Sequence, residues 1–136
     1  MFKHRTQVRV RYGETDRMGY VYYGNYPLYY EVGRVEALRA LGLSYRKMED
    51  ELMVFMPVMS LQVKYVRPCF YDEVLDLETS IPQIPGDIIQ FNTDIIKGDG
   101  KLANRGLVTL CFVDKNTNKR VQIPQQIIDV LKEYFI

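Results

Sequence analysis

The sequence predicts an α+β fold in which an antiparallel β-sheet packs against one long α-helix. Three observations carry this expectation. One alternating stretch precedes a long apolar pattern of helical spacing, and four more alternating stretches follow before a short final helix, an order β-α-β-β-β-β-α. Every connection after the first helix is short enough for a hairpin or a neighbouring strand, so nothing requires a parallel crossover. The chain also lacks the G-x-x-x-x-G-K-[ST] and G-x-G-x-x-G loops that cradle phosphates, which disfavours a doubly wound sheet.

The elements follow in order. Residues 7–12 alternate, with Val8, Val10 and Tyr12 on one face and Gln7, Arg9 and Arg11 on the other, as in a half-buried strand. From Leu28 the helical spacing of Leu28, Val32, Val35, Leu38 and Leu41 predicts a buried face, beside a strip of small residues at Gly33, Ala37 and Ala40. Asn25 is placed to cap this helix, Pro27 suits its first turn, and Gly42 stands where a left-handed C-terminal cap is expected. Ser44 opens one or two further helical turns, and Pro57 marks the return to extended chain. Met59, Leu61, Val63 and Tyr65 alternate with polar residues up to Arg67-Pro68. Strands are also expected through Leu75, Leu77, Thr79 and Ile81, and through Ile89, Phe91, Thr93 and Ile95. A tight hairpin at residues 97–101 leads into a long last strand, 102–113, with Gly106 as a bulge. Pro124 then opens a C-terminal helix through Ile127, Ile128 and Leu131.

A chain of 136 residues suits one domain, residues 1–136; folding at this size removes roughly 70% of the unfolded surface from water. The composition, 47% hydrophobic and 26% charged, is that of a globular protein rather than a disordered one. A net charge of +1 without a basic stripe argues against a nucleic-acid partner. Lys3, Arg5, Arg9 and Arg11 interrupt the first eleven residues, which therefore read as neither signal peptide nor membrane span, and a cytoplasmic location is expected. Cys69 and Cys111 stand alone, without metal-ligand or C-x-x-C spacing, and read as core fillers; no metal site is expected.

Elimination narrows the chemistry. His4 is the single histidine, in a charged stretch where exposure or a neighbouring partner is expected, and a Ser-His-Asp or Cys-His machine would need it. Neither G-x-S-x-G nor H-E-x-x-H occurs. A carboxylate remains as general base or nucleophile, and Asp16 has the most suggestive surroundings. It follows the first strand in a loop that turns at Gly19 and brings the backbone of Tyr22, Tyr23 and Gly24 to the helix start, where unpaired N–H groups suit an oxygen gaining negative charge. Tyr20, Tyr22, Tyr23 and Tyr26 supply apolar walls with polar tips. By spacing alone, the reading of Asp16 as an Asx-turn or capping residue with core tyrosines around it ranks ahead of the catalytic one. Glu14 reads as flanking, Glu31 as a second carboxylate to weigh against the plainer reading of an exposed i,i+3 pair with Arg34, and Asp72 and Glu73 as turn or edge residues.

The stretches "RVRYGETDRMGYVYYGNYPLYYEVGRVEALRALGLSY", "VKYVRP" and "DEVLDLET" resemble the 4-hydroxybenzoyl-CoA thioesterase-like acyl-CoA thioesterases of the hotdog fold. The resemblance spans residues 6–121, and its most specific piece is D-x-x-G-x-V-Y-x-x-N-Y from Asp16 to Tyr26. It implies a sheet wrapped around the long helix and hydrolysis of an acyl thioester to acid and thiol. It makes Asp16 the catalytic carboxylate, as nucleophile or activator of water, and the Tyr23 backbone N–H the group that polarises the carbonyl. Gly19, Tyr20, Tyr22, Gly24, Asn25 and Tyr26 would then form the substrate-binding surroundings. It calls for no cofactor, and it places sites between subunits, so a homodimer or homotetramer is expected. Members tied to the Tol-Pal envelope system usually carry histidine where this chain has Tyr23, and the aromatic-thioester type is nearer at that position. The basic cluster that grips CoA phosphates in the 4-hydroxybenzoyl type is replaced here by "QIPGD", 83–87. Lys64, Arg67, Lys97, Lys101 and Arg105 are candidate replacements. An acyl-carrier-protein thioester fits the missing cluster equally well, and a non-catalytic acyl-thioester binder would use the same groove.

Overall fold

The computed structural model describes residues 1–136. Its sheet contains β1 (Phe2–Arg9), β2 (Val54–Phe55), β3 (Val58–Tyr65), β4 (Val74–Ile81), β5 (Ile88–Ile96), β6 (Leu102–Asp114) and β7 (Arg120–Val121). All pairings are antiparallel, in the order β1-β4-β5-β6, with β3 and the short β2 and β7 also on β6. The helices are α1 (Tyr26–Ala40), α2 (Tyr45–Asp50) and α3 (Gln125–Leu131). Helix α1 packs across β1, β4, β5 and β6, and inward side chains such as Leu75, Leu77, Phe91, Ile95 and Leu110 form the core beneath it.

The first strand lies earlier than alternation predicts. Residues 2–9 pair with β4, Phe2 opposite Ile81, whereas Tyr12 sits in a 3-10 turn and is 79% exposed. The reason is the long partner: all eight residues of β4 find a mate only if β1 begins at Phe2. His4 lies on the inward side of β1 with Nδ1 buried and without a partner, rather than exposed or satisfied.

Helix α1 is also rotated from its expected face. Tyr26, Tyr29, Tyr30, Gly33, Ala37 and Leu38 are buried, whereas Leu28 is 52% exposed and Val32 and Ala40 lie outside. Tyrosines bury more area than leucine or valine when their hydroxyls find partners. Tyr29 donates to Glu14 Oε1 at 2.9 Å, and Tyr30 bonds the side chain of Asn104. Burial, above all, pushes both phenols well above their usual pKa, so they stay neutral donors. Gly106 is no bulge: it pairs in register with both Val63 and Thr93, and the Tyr30 ring occupies the space a Cβ would need. The bulges fall instead between Val58 and Ser60 and between Ile95 and Ile96.

The expected caps at Gly42 and Ser44 hold. Gly42, at φ +79°, closes α1 with Gly42 N–H donating to the Arg39 carbonyl and Leu43 N–H to the Leu38 carbonyl, each at 2.9 Å. Ser44 caps α2 by accepting from Lys47 N–H at 3.0 Å. Asn25 stands at the N-cap of α1 but does not cap it with its side chain, which donates to the Glu14 carbonyl at 2.9 Å. Glu31 makes no pair with Arg34; the buried Arg34 donates through Nε to the Tyr45 hydroxyl at 2.7 Å.

Candidate active site

The loop between β1 and α1 is held by Glu14, which the sequence presents only as a neighbour of the Asp16 loop. Its carboxylate is buried and accepts from Arg11 N–H at 2.8 Å, from the Tyr29 hydroxyl at 2.9 Å and from the Arg11 guanidinium at 3.2 Å. Its carbonyl accepts from Tyr22 N–H at 2.9 Å and from the Asn25 amide. Burial raises its pKa, but the bonds from Arg11 and Tyr29 outweigh burial and hold the carboxyl below its ordinary value. The signal in the sequence is slight: a carboxylate three residues after Arg11 and fifteen before Tyr29.

Two residues on, Asp16 makes the tight turn that spacing allowed. Its carbonyl accepts from Gly19 N–H at 3.0 Å, and its N–H donates to the Tyr20 carbonyl at 2.7 Å. Oδ1 accepts from Met18 N–H at 2.9 Å and Tyr20 N–H at 3.1 Å, which fixes the carboxylate plane and leaves Oδ2 free of these bonds. The turn is anchored to the segment before β4: Val21 N–H donates to the Cys69 carbonyl at 2.7 Å, and the Tyr20 and Phe70 rings meet edge to face at 5.2 Å.

Asp16, Tyr20, Tyr23 and Tyr26 converge on one cavity of about 320 Å³, which is also walled by Met18, Val21 and Tyr65 to Pro68. Tyr23 opens the 3-10 turn Tyr23–Asn25 that leads into α1, where the first amides have no partner within the helix. The turn and loop bonds of the backbone leave the N–H groups of Tyr23 and Gly24 untaken. Tyr65, from the end of β3, donates its hydroxyl to the Tyr23 carbonyl at 3.0 Å and meets the Tyr26 ring edge-on at 5.6 Å. Burial pushes the Tyr26 phenol far above its usual pKa. The remaining sequence candidates lie outside the cavity wall: Gly19 is in the turn, the Tyr22 ring meets that of Tyr23 at a tilt with centroids 4.7 Å apart, and Gly24 and Asn25 belong to the helix entrance.

The other nucleophile nearby is Cys69. It is fully buried, and burial raises its thiol pKa, so it is a filler and not a thiolate. Cys111 is buried too. Asp72 and Glu73 take turn roles: Asp72, at φ +72°, pairs with Arg9 at 3.2 Å, and Glu73 accepts from Phe70 N–H at 2.8 Å. Of the five basic candidates, two are engaged. Arg105 binds Asp94 through Nε at 2.7 Å and Nη2 at 3.0 Å, and Lys97 is held by the Pro68 carbonyl at 2.7 Å and Glu73 at 3.1 Å. Lys64 and Lys101 are exposed away from the cavity, whereas Arg67 lines it.

A carboxylate with one constrained and one open oxygen, lining the same aromatic-walled cavity as Tyr23 at the helix entrance, is equipped to attack a carbonyl or activate water beside it. Known proteins share this arrangement of chain. Residues 10–131 match the family model described as the thioesterase-like superfamily. YneP of Bacillus subtilis is 33% identical over 122 residues, covering 90% of this chain and 88% of that one. The Escherichia coli protein named acyl-CoA thioester hydrolase YbgC is 31% identical over 129 residues, covering 95% and 96%. The solved structure of a DHNA-CoA thioesterase from Staphylococcus aureus superposes with a TM-score of 0.89 at 30% identity, covering 99% of this chain and 90% of that one. No helix is long and apolar enough to cross a membrane.

Proposed function

This chain belongs to the thioesterase-like superfamily and has its hotdog fold, and we propose that it hydrolyses acyl-CoA thioesters with Asp16 as the catalytic carboxylate. The observation that carries the reading is the meeting of Asp16 and Tyr23 on one aromatic-walled cavity at the N-terminal end of α1. The names of the similar proteins from Escherichia coli and Staphylococcus aureus support the acyl-CoA class.

In the mechanism, the thioester carbonyl lies between the Asp16 carboxylate and the Tyr23 N–H. Developing charge on the carbonyl oxygen is met by that amide; one such donor supplies about 2.7–4 kcal/mol in oxyanion holes. Asp16 acts in one of two balanced ways. As nucleophile, its free oxygen bonds to the carbonyl carbon, the C–S bond breaks, the thiolate leaves, and water then opens the mixed anhydride. As base, it takes a proton from water while the water oxygen bonds to carbon and the thiolate departs. Thiolate is a far better leaving group than an amine or alkoxide, so neither route needs histidine. The Met18 and Tyr20 amides orient the carboxylate for attack. The turn geometry and the catalytic role are therefore compatible functions of one side chain.

Asp16→Asn tests this reading. Hydrolysis of butyryl-CoA and benzoyl-CoA, followed by thiol release, should fall at least ~100-fold, the lower end for general acid–base groups. Unchanged turnover would remove Asp16 from the mechanism. After single turnover in ¹⁸O-water, label in the Asp16 carboxylate identifies the nucleophile route, with water opening the anhydride at the Asp16 carbon.

A further inference from the structure

We propose that Arg67 binds the phosphate carried by the pantetheine arm of the thioester substrate, an assignment that rests on the thioesterase reading of the cavity. Among the five basic residues at first equivalent in the sequence, Arg67 alone lines the cavity that holds Asp16 and makes no ion pair. Its guanidinium presents a planar fork of donors matched to phosphate oxygens.

The backbone behind it is fixed from several directions. Val66 and Arg67 both donate their N–H to the Ala103 carbonyl at 2.9 Å. Pro68 follows and restricts Arg67 to extended chain. Lys97 reaches across to the Pro68 carbonyl at 2.7 Å while its ammonium stays 3.1 Å from Glu73 and 5.0 Å from the centre of the Phe70 ring. Lys97 is thus a strut for the segment that presents Arg67. The arginine side chain remains exposed and available to an incoming anion.

The phosphate has two sources, the diphosphate of CoA or the phosphopantetheine of an acyl carrier protein. Butyryl thioesters of pantetheine, phosphopantetheine and CoA, assayed with wild type and with Arg67→Gln, test the site and separate the sources. The expected result is a KM rise about tenfold greater for phosphorylated than for unphosphorylated substrate, the equivalent of about one charge-assisted contact. Arg67→Lys should recover part of it, and added salt should narrow the difference. A rise shared by phosphopantetheine and CoA assigns the phosphate common to both carriers, whereas a rise confined to CoA points to its nucleotide end and overturns the proposal. Equal changes for all three thioesters, or none, overturn the proposal. Calorimetric binding of free CoA against pantetheine gives a readout independent of turnover. Wild type that binds CoA more tightly than pantetheine, with the preference lost in Arg67→Gln, supports the site even where hydrolysis fails, whereas the same preference in both overturns it.

Discussion

Glu14 shows how one residue can organise a site without touching the chemistry. Its carboxylate ties Arg11 to Tyr29, and its carbonyl ties Tyr22 and Asn25, so it locks the loop carrying Asp16 to the first turn of α1. Its folded pKa lies below the ordinary 4.5. The sign follows: the ionised carboxylate adds stability that is fully present above the unfolded pKa and is lost as pH falls through the lower folded value. Glu14→Gln should therefore cost about 1–2 kcal/mol near neutrality, discounted because Arg11 is largely exposed. Urea unfolding at pH 7 and pH 3 checks this, and the difference between the two proteins should shrink at the acid end. At this scale the sequence held the candidates Asp16 and Tyr23 but not Glu14, because alternation places side chains on faces and says nothing about a partner fifteen residues away.

Elements are determined partly by local chemistry and partly by what they pack against. The end of α1 is local: Gly42 has the left-handed conformation that its position after the last periodic residue requires. Gly42→Ala should destabilise the protein by about 1–2 kcal/mol, the cost of that conformation for a side-chain-bearing residue, read as a lower urea midpoint with unchanged slope. The buried face of α1 is not local. Periodicity alone favours Leu28 and Val32, yet the sheet accepts Tyr26, Tyr29 and Tyr30, because Glu14 and Asn104 satisfy two of the phenols and Gly106 leaves room for a ring. A glycine that reads as a bulge is thereby a seat for an aromatic side chain.

For the whole molecule, β3 is the telling strand. It pairs with β6 along one side only, and Val58, Met59, Leu61 and Tyr65 are all exposed, an edge whose single charged residue is Lys64. In the expected homodimer or homotetramer, a second copy would cover β3 close to the cavity that Tyr65 lines. Leu61→Lys should shift the protein toward monomer in sedimentation or light scattering and lower activity with it. A wild-type protein that is monomeric at micromolar concentration would contradict the dimer.

The α+β order, the antiparallel strands, the caps at Ser44 and Gly42, and the Asp16 to Tyr26 pattern were legible in the sequence, because each depends on residues near one another in the chain. Tertiary structure decided the start of β1, the face of α1, the purpose of Gly106, the hub at Glu14 and the placing of Arg67, alone of five basic residues, on the cavity wall. Each of these depends on which distant surfaces meet. Burial energy is gained only where shapes and hydrogen-bond partners coincide, and that coincidence exists only once the sheet has closed around the helix.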